Sequence, residues 1–297
     1  MSTLLEKVRE ETPESLFSVR SEKMFSASGA EVPGKVCIVN EMTDAVLGVV
    51  SPTYRIVTNH EVVSHLSDAL DASGLDLDEM VAKVETGYGG SRSQVKVLLP
   101  AHTITLPKGC GSISGDETSL EFHAFNSYDG RWKYALRAGA VRFACLNGQV
   151  LGSFLGSYVE YHNSKLDVEE GARRVTAIAN QFSGFEGWFA SMVSRELDQG
   201  VITDIFGRFL TGAPVKDPDL EKFMQRKQVS ELTKLLDGYR KEMGDNAYAL
   251  YNALTDYVTH RERRPDTGIS SRLYEEDRIA RLVDTHPLFA REQAADA

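Results

Sequence analysis

The sequence has few cysteines and no long apolar run. Its 297 residues include three cysteines, Cys37, Cys110 and Cys145, with no CxxC pair and no histidine at zinc-finger spacing. This pattern argues against both a disulfide framework and a zinc finger. No stretch approaches the roughly 20 apolar residues that a membrane helix needs, and the first residues lack the apolar core of a secretory signal. We therefore expect a cytoplasmic protein with no membrane partner.

The chain also lacks a basic excess. Its formal net charge is −10, which does not suit a surface that binds nucleic acid everywhere, because phosphate binding needs clustered Lys and Arg. The charge is uneven, however. Residues 1–80 carry 6 basic and 14 acidic residues, residues 81–165 carry 9 and 6, and residues 166–297 carry 18 and 23. The only basic third is the one whose pattern predicts strands.

The composition, with 42% hydrophobic and 26% charged residues, is typical of a globular protein. Short β-branched runs at residues 36–39 and 45–50 predict a hairpin, and Asn59 is a candidate N-cap for a helix that ends near Gly74. Alternating apolar residues over 81–150 predict an antiparallel meander of about four strands. Asp129 and Gly130 predict the turn between two of them.

After residue 165 the apolar spacing becomes three and four, which predicts helices. We therefore predict an α+β fold, an antiparallel β-meander with a mainly helical C-terminal half. The predicted organisation is a helical, acidic N-terminal arm at 1–34, a β-rich domain at 35–165, a helical part packed on the sheet at 166–262, and a loosely ordered tail at 263–297 that contains one short helix.

Four short strings carry a family resemblance. They are YRIVTN at residues 54–59, NSYDG at 126–130, RFACLN at 142–147 and NALTDYVTH at 252–260. Through these strings and their order along the chain, roughly residues 35–262 resemble the family called domain of unknown function 932. The resemblance implies a phage, prophage or plasmid origin. It implies no particular reaction.

The basic third of the chain places cations among aromatic residues. This combination suits single-stranded nucleic acid, because cations neutralise phosphates while rings stack on bases. The candidate contacts are Arg92, Lys96, Arg131, Lys133, Arg137 and Arg142. In the string RWKYALR, strand alternation places the basic residues on one face and the aromatic residues on the other. The alternative is a solvated basic face over an aromatic core, with no ligand.

A second group of polar residues suits catalysis. Asn252, Asp256 and His260 recur every four residues, so they share one side of a predicted helix. Together with Asp129 and His162 they are the candidate catalytic residues of an enzyme. The alternative is an ordinary pair of Asp256 and His260 on an exposed helix face. No spacing demands a metal, so we assign no metal ligand and no cofactor, although a divalent metal would suit these side chains.

Three functions stay open at this point. The leading hypothesis is a single-stranded DNA binding protein of phage or plasmid DNA metabolism, related to annealing or recombination and able to form a homo-oligomer. The second is an enzyme with hydrolytic or nucleotide-directed activity that uses the polar residues above. The third is an anti-defence protein whose acidic N-terminal region binds a basic host factor.

Overall fold

The computed structural model describes residues 3–106, 115–142, 144, 147–149, 157–179, 182–264 and 266–290, so Cys110 and Cys145 lie outside the described residues. The strands are β1 (Val19–Phe25), β2 (Glu31–Asn40), β3 (Val46–Val50), β4 (Val81–Gly87), β5 (Arg92–Thr105), β6 (Glu117–Ser127), β7 (Tyr134–Arg142), β8 (Asn147–Gln149) and β9 (Ser157–Glu160). The helices are α1 (Leu4–Glu11), α2 (Asn59–Ser73), α3 (Val168–Ala179), α4 (Phe185–Val193), α5 (Gln199–Thr211), α6 (Leu220–Met224), α7 (Lys227–Met243), α8 (Ala247–His260) and α9 (Gly268–Thr285).

The strands form two antiparallel sheets. The smaller sheet has the order β1-β2-β3, and the larger has the order β4-β5-β6-β7-β8, with β9 also paired to β7. Neighbouring strands follow one another along the chain, as in a meander, and most of the helices come after the last strand. The predicted α+β fold, an antiparallel meander with a mainly helical C-terminal half, is confirmed.

One face of the larger sheet is apolar. Val95 of β5, Ala124 of β6 and Leu136 of β7 are cross-strand partners, and all three are buried. Helix α1 packs on β4, α3 packs on β7, and α2 contacts both helices. Helix α2 ends at a left-handed Gly74, as predicted, but its N-cap is Thr58, whose hydroxyl accepts the Glu61 N–H, and the predicted N-cap Asn59 is the first helical residue.

The opposite face of the larger sheet is charged. A cross-strand row there consists of Lys83, Lys96, His123 and Arg137. Helix α9 lies against this face, where Arg272 donates hydrogen bonds to Glu85 and Gln94 and Asp277 pairs with Arg137. Both faces of the sheet are therefore covered, one by the apolar sides of α1 and α3 and the other by charged residues of α9.

Helix α9 corrects the predicted tail. Residues 263–297 were expected to be loosely ordered around a short helix, but α9 is 18 residues long and buries Ile279, Leu282 and Val283. It contacts α5 and α8 as well as β4. The sequence misleads here because the polar residues of α9, which resemble a solvated surface, bind the charged face of the sheet.

The region predicted as a helical, acidic N-terminal arm contains a helix and also a strand. Helix α1 opens with a capping box between Thr3 and Glu6 and buries Leu4 and Val8 in the main core. The same region contains β1, which pairs with β2. Within the described residues, every helix falls short of the length and hydrophobicity that would let it cross a membrane.

Candidate functional site

The turn between β6 and β7 supports the smaller sheet. Gly130 has φ +67°, a left-handed conformation that favours glycine, and Asp129 Oδ1 accepts the Arg131 N–H. Gly48 of β3 lies directly against this turn, since a Cβ on Gly48 would be 2.4 Å from the carbonyl oxygen of Tyr128. The close approach leaves an open depression between β3, the turn and the segment that follows β9.

This depression, which we call the aromatic pocket, has a volume of about 290 Å³. Its lining residues are Val49, Val50, Ser51, Tyr54, Asp129, Gly130, Trp132, Tyr161 and His162. Tyr54 and His162 stack with ring centroids 4.7 Å apart, and the Tyr54 hydroxyl donates to the Ser127 carbonyl at 2.6 Å. Tyr161 is 61% exposed. The pocket therefore contains several aromatic side chains, of which Tyr54 and His162 stack on each other and Tyr161 is exposed to solvent.

His162 brings an unusual atom to this pocket. Its Nδ1 lies 3.1 Å from the Arg55 carbonyl oxygen, and a carbonyl only accepts, so Nδ1 carries the proton. Burial lowers the pKa of His162 to about 4, which keeps the ring neutral at pH 7. Its Nε2 is then a bare acceptor, and this buried atom has no hydrogen-bond partner among the described residues.

Two exposed cations flank the aromatic pocket. Arg131 and Lys133 lie in the turn before β7, and the Lys133 ammonium is 4.0 Å from the centre of the Tyr161 ring. Because β7 begins only at Tyr134, the alternation predicted for RWKYALR does not hold for its first three residues. Arg131 and Lys133 therefore lie in the turn and not on a face of the sheet, and both side chains are exposed.

The other four predicted nucleic-acid contacts face carboxylates. Arg92 pairs with Asp129 at 2.8 Å, and Lys96 lies 3.6 Å from Glu85. The remaining pairs are Arg137 with Asp277 and Arg142 with Asp116 and Glu242. Arg92 also lies over the Tyr88 ring and donates to Ser270 of α9. The structure therefore divides the predicted interface into four internal cations and two exposed ones.

A protein family profile described as "Domain of unknown function (DUF932)" matches residues 46–287. The chain belongs to this family. The match confirms the resemblance carried by the four strings, and it spans every residue of the aromatic pocket. No curated protein and no solved structure matches the chain.

In this DUF932 protein the five candidate catalytic residues do not form one cluster. Asp129 and His162 line the aromatic pocket, whereas Asp256 and His260 line a separate cavity of about 690 Å³ beside α7. Asn252 is fully buried, and its amide donates to the Tyr248 carbonyl.

The bonds of Asp129 and Asp256 are structural in character. Asp129 is engaged by Arg92 and the turn, and Asp256 accepts the Tyr239 hydroxyl at 2.7 Å. In the part of the chain that the structure describes, no group of three or more His, Cys, Asp or Glu residues could hold a metal ion.

Sequence reasoning missed a charged network between the larger sheet of this DUF932 protein and α9. Glu121 pairs with His123, and Glu85 meets Lys96 and Arg272. Burial alone would raise the pKa of Glu85, but these two cations outweigh it and lower the pKa to about 2. The one signal that could have indicated part of this network is the strand register, which places Lys96 opposite His123.

Proposed function

We propose that this protein binds single-stranded nucleic acid and that one base enters the aromatic pocket. The observation that carries the proposal is the aromatic pocket itself, in which Tyr54 and His162 stack and the Tyr161 ring is exposed. Unpaired bases present a ring face for stacking. Such a base offers the stacking surface that this pocket suits.

The flanking cations account for the backbone of the strand. Arg131 and Lys133 lie beside the pocket and are exposed, so phosphates adjacent to a bound base can reach them. Two phosphate contacts on a single strand predict a shallow salt dependence, with log K falling by about 1.4 per decade of salt. A net charge of −10 disfavours the wider contact that a duplex would need.

Unpaired strands also suit the shape of the site better than a duplex does. A base inside a helix is stacked on both faces and cannot enter a pocket without being flipped out. The proposal further places this activity in phage or plasmid DNA metabolism, with annealing and self-association as related properties. The family resemblance and analogy support these parts, and the aromatic pocket supports only the binding.

The test is fluorescence anisotropy with labelled single- and double-stranded oligonucleotides over a salt series. Replacing Tyr161 removes an exposed ring whose loss leaves the core intact, so Tyr161→Ala is expected to weaken single-strand binding. The expected loss is about 5- to 150-fold, since one stacked base is worth about 1–3 kcal/mol. Tyr274→Ala is the matched control, because Tyr274 is 54% exposed on α9, away from the pocket.

A charge variant completes the test. Arg131→Glu/Lys133→Glu is expected to lower affinity further and to flatten the salt dependence. Binding that is equal for single strands and duplexes, or that is lost equally in Tyr161→Ala and Tyr274→Ala, would refute the pocket. The absence of any binding at low salt would remove the proposed function altogether.

A further inference from the structure

Four arginines surround a cavity at the junction of α8 and α9. The cavity has a volume of about 360 Å³, and its lining residues are Glu85, Thr86, Thr259, Arg261, Arg263, Arg264, Gly268, Ile269 and Arg272. We call Arg261, Arg263, Arg264 and Arg272 the arginine pocket. A neighbouring cavity of about 350 Å³ shares the first three of these arginines. The arginine pocket and the aromatic pocket have no residue in common.

Two carboxylates around the arginine pocket each pair with more than one cation. Glu275 pairs with both Arg261 and Arg263. Glu85, the one acidic residue that lines the first cavity, pairs with Lys83 and Lys96 as well as with Arg272. For Arg264, which is exposed, no ion pair occurs within the described residues. Glu276 also pairs with Arg272 at 3.7 Å, so of the four arginines Arg264 is the one that the described carboxylates leave for a ligand.

Two buried donors in the arginine pocket lack an acceptor. The Nε atoms of Arg263 and Arg272 are buried and make no hydrogen bond within the described part of the chain. Arg272 Nε lies 3.7 Å from Glu276, beyond hydrogen-bond distance. A guanidinium keeps its charge at any physiological pH and has no acceptor atom, so a cavity lined by four arginines suits an oxyanion, which would reach the exposed side chain of Arg264.

The backbone holds the arginine pocket in place without a ligand. Asp266, in the connection between α8 and α9, accepts the Tyr88 N–H through its carbonyl and the Gly89 N–H through its carboxylate. A Cβ on Gly87 would lie 2.5 Å from the Asp266 carbonyl oxygen, so only glycine permits this contact. The connection is thus fixed to the β4–β5 turn, which preorganises the arginines that follow α8.

We propose that the arginine pocket binds a phosphate group. Several guanidiniums around one cavity offer the planar, paired N–H donors that match phosphate oxygens. Two sources share this chemistry, a free nucleotide or pyrophosphate and the terminal phosphate of a nucleic-acid strand. The inference does not depend on the proposed base site.

Isothermal titration calorimetry with pyrophosphate at low ionic strength tests the site. Pyrophosphate is expected to bind the wild-type protein and to bind Arg264→Gln about tenfold more weakly, a change that corresponds to about 1.4 kcal/mol. Arg264 is suited to this test because its side chain is exposed and its replacement leaves the ion pairs of Glu275 intact. Arg281→Gln, another exposed arginine near the other end of α9, is expected to bind like wild type.

Further titrations distinguish the two sources of phosphate. An oligonucleotide with a 5′-phosphate that binds more tightly than its 5′-hydroxyl counterpart, with the difference lost in Arg264→Gln, would identify the strand end. Equal binding of the two oligonucleotides, together with pyrophosphate and mononucleotide binding, would identify a free phosphate.

No pyrophosphate binding at millimolar concentration, or equal affinity in Arg264→Gln and Arg281→Gln, would overturn the arginine pocket. Tyr161→Ala is expected to leave pyrophosphate binding unchanged. Failure of the aromatic pocket and failure of the arginine pocket are therefore separate results.

Discussion

Replacing Arg142 by methionine is expected to destabilise the protein by about 3–5 kcal/mol. The side chain of Arg142 is 2% exposed and pairs with Asp116, whose side chain is 6% exposed, and with Glu242. Methionine fills much of the same volume but leaves the Asp116 carboxylate buried without its cation. Removing one partner of a buried ion pair carries a penalty of this size, because the remaining charge is desolvated and uncompensated. The Tyr248 hydroxyl bonds to Asp116 but supplies no charge.

Urea unfolding, followed by circular dichroism, measures this loss as a lower midpoint at unchanged slope. The matched control is Arg174→Met, which breaks an exposed pair with Glu170 and is expected to change stability little. Equal, small losses in both variants would refute the argument from burial. Because the guanidinium of Arg142 is engaged by carboxylates, we expect the folded Arg142→Met protein to keep its affinity for single strands.

Three further outcomes follow from the structure. The pKa of His162 is about 6.5 in the unfolded state and about 4 in the folded state, so the free energy of unfolding falls by about 3 kcal/mol as the pH drops through this window. The variant His162→Phe should lose this part of the pH dependence in urea titrations, and an unaltered pH profile would contradict the prediction. Gly48→Ala should lower the unfolding midpoint through its clash with Tyr128, whereas Gly238→Ala, with open space around it, should not. About 1 M salt should speed amide exchange in residues 268–277 of α9 more than in 279–285, and a uniform response would count against ionic attachment of its first half.

The fold could be predicted because each element has a local pattern. The alternation over β4 to β7 and the spacing of α2 reflect burial of one face, which a single stretch of sequence reveals. The environment of the other sheet face could not be predicted in this way. Arg137 reads as an exposed cation, and only the position of α9, more than 100 residues later, shows that Asp277 covers it.

The candidate site depended even more on long-range pairing. Trp132 and Tyr161 are 29 positions apart, and they meet because β9 pairs with β7, with Tyr134 opposite Glu160. No local pattern encodes that register. The spacing of Asp256 and His260 did predict correctly that they share a side of α8, since both line one cavity. Spacing along one helix could not predict whether Asp256 and His260 lie near Asp129 and His162, which belong to other elements.

Helix α9 places a carboxylate, Asp277, against Arg137 of the basic row on the sheet, where it competes with any external anion. Carboxylates joined to the same chain act at an effective concentration in the millimolar range or above, without the entropic cost of bringing in a separate molecule. A phosphate strand that approached Arg137 would have to displace Asp277 of α9 first, and at Lys96 it would meet Glu85 of β4. For the proposed single-strand binding, we therefore expect the phosphates of the strand to contact the exposed Arg131 and Lys133.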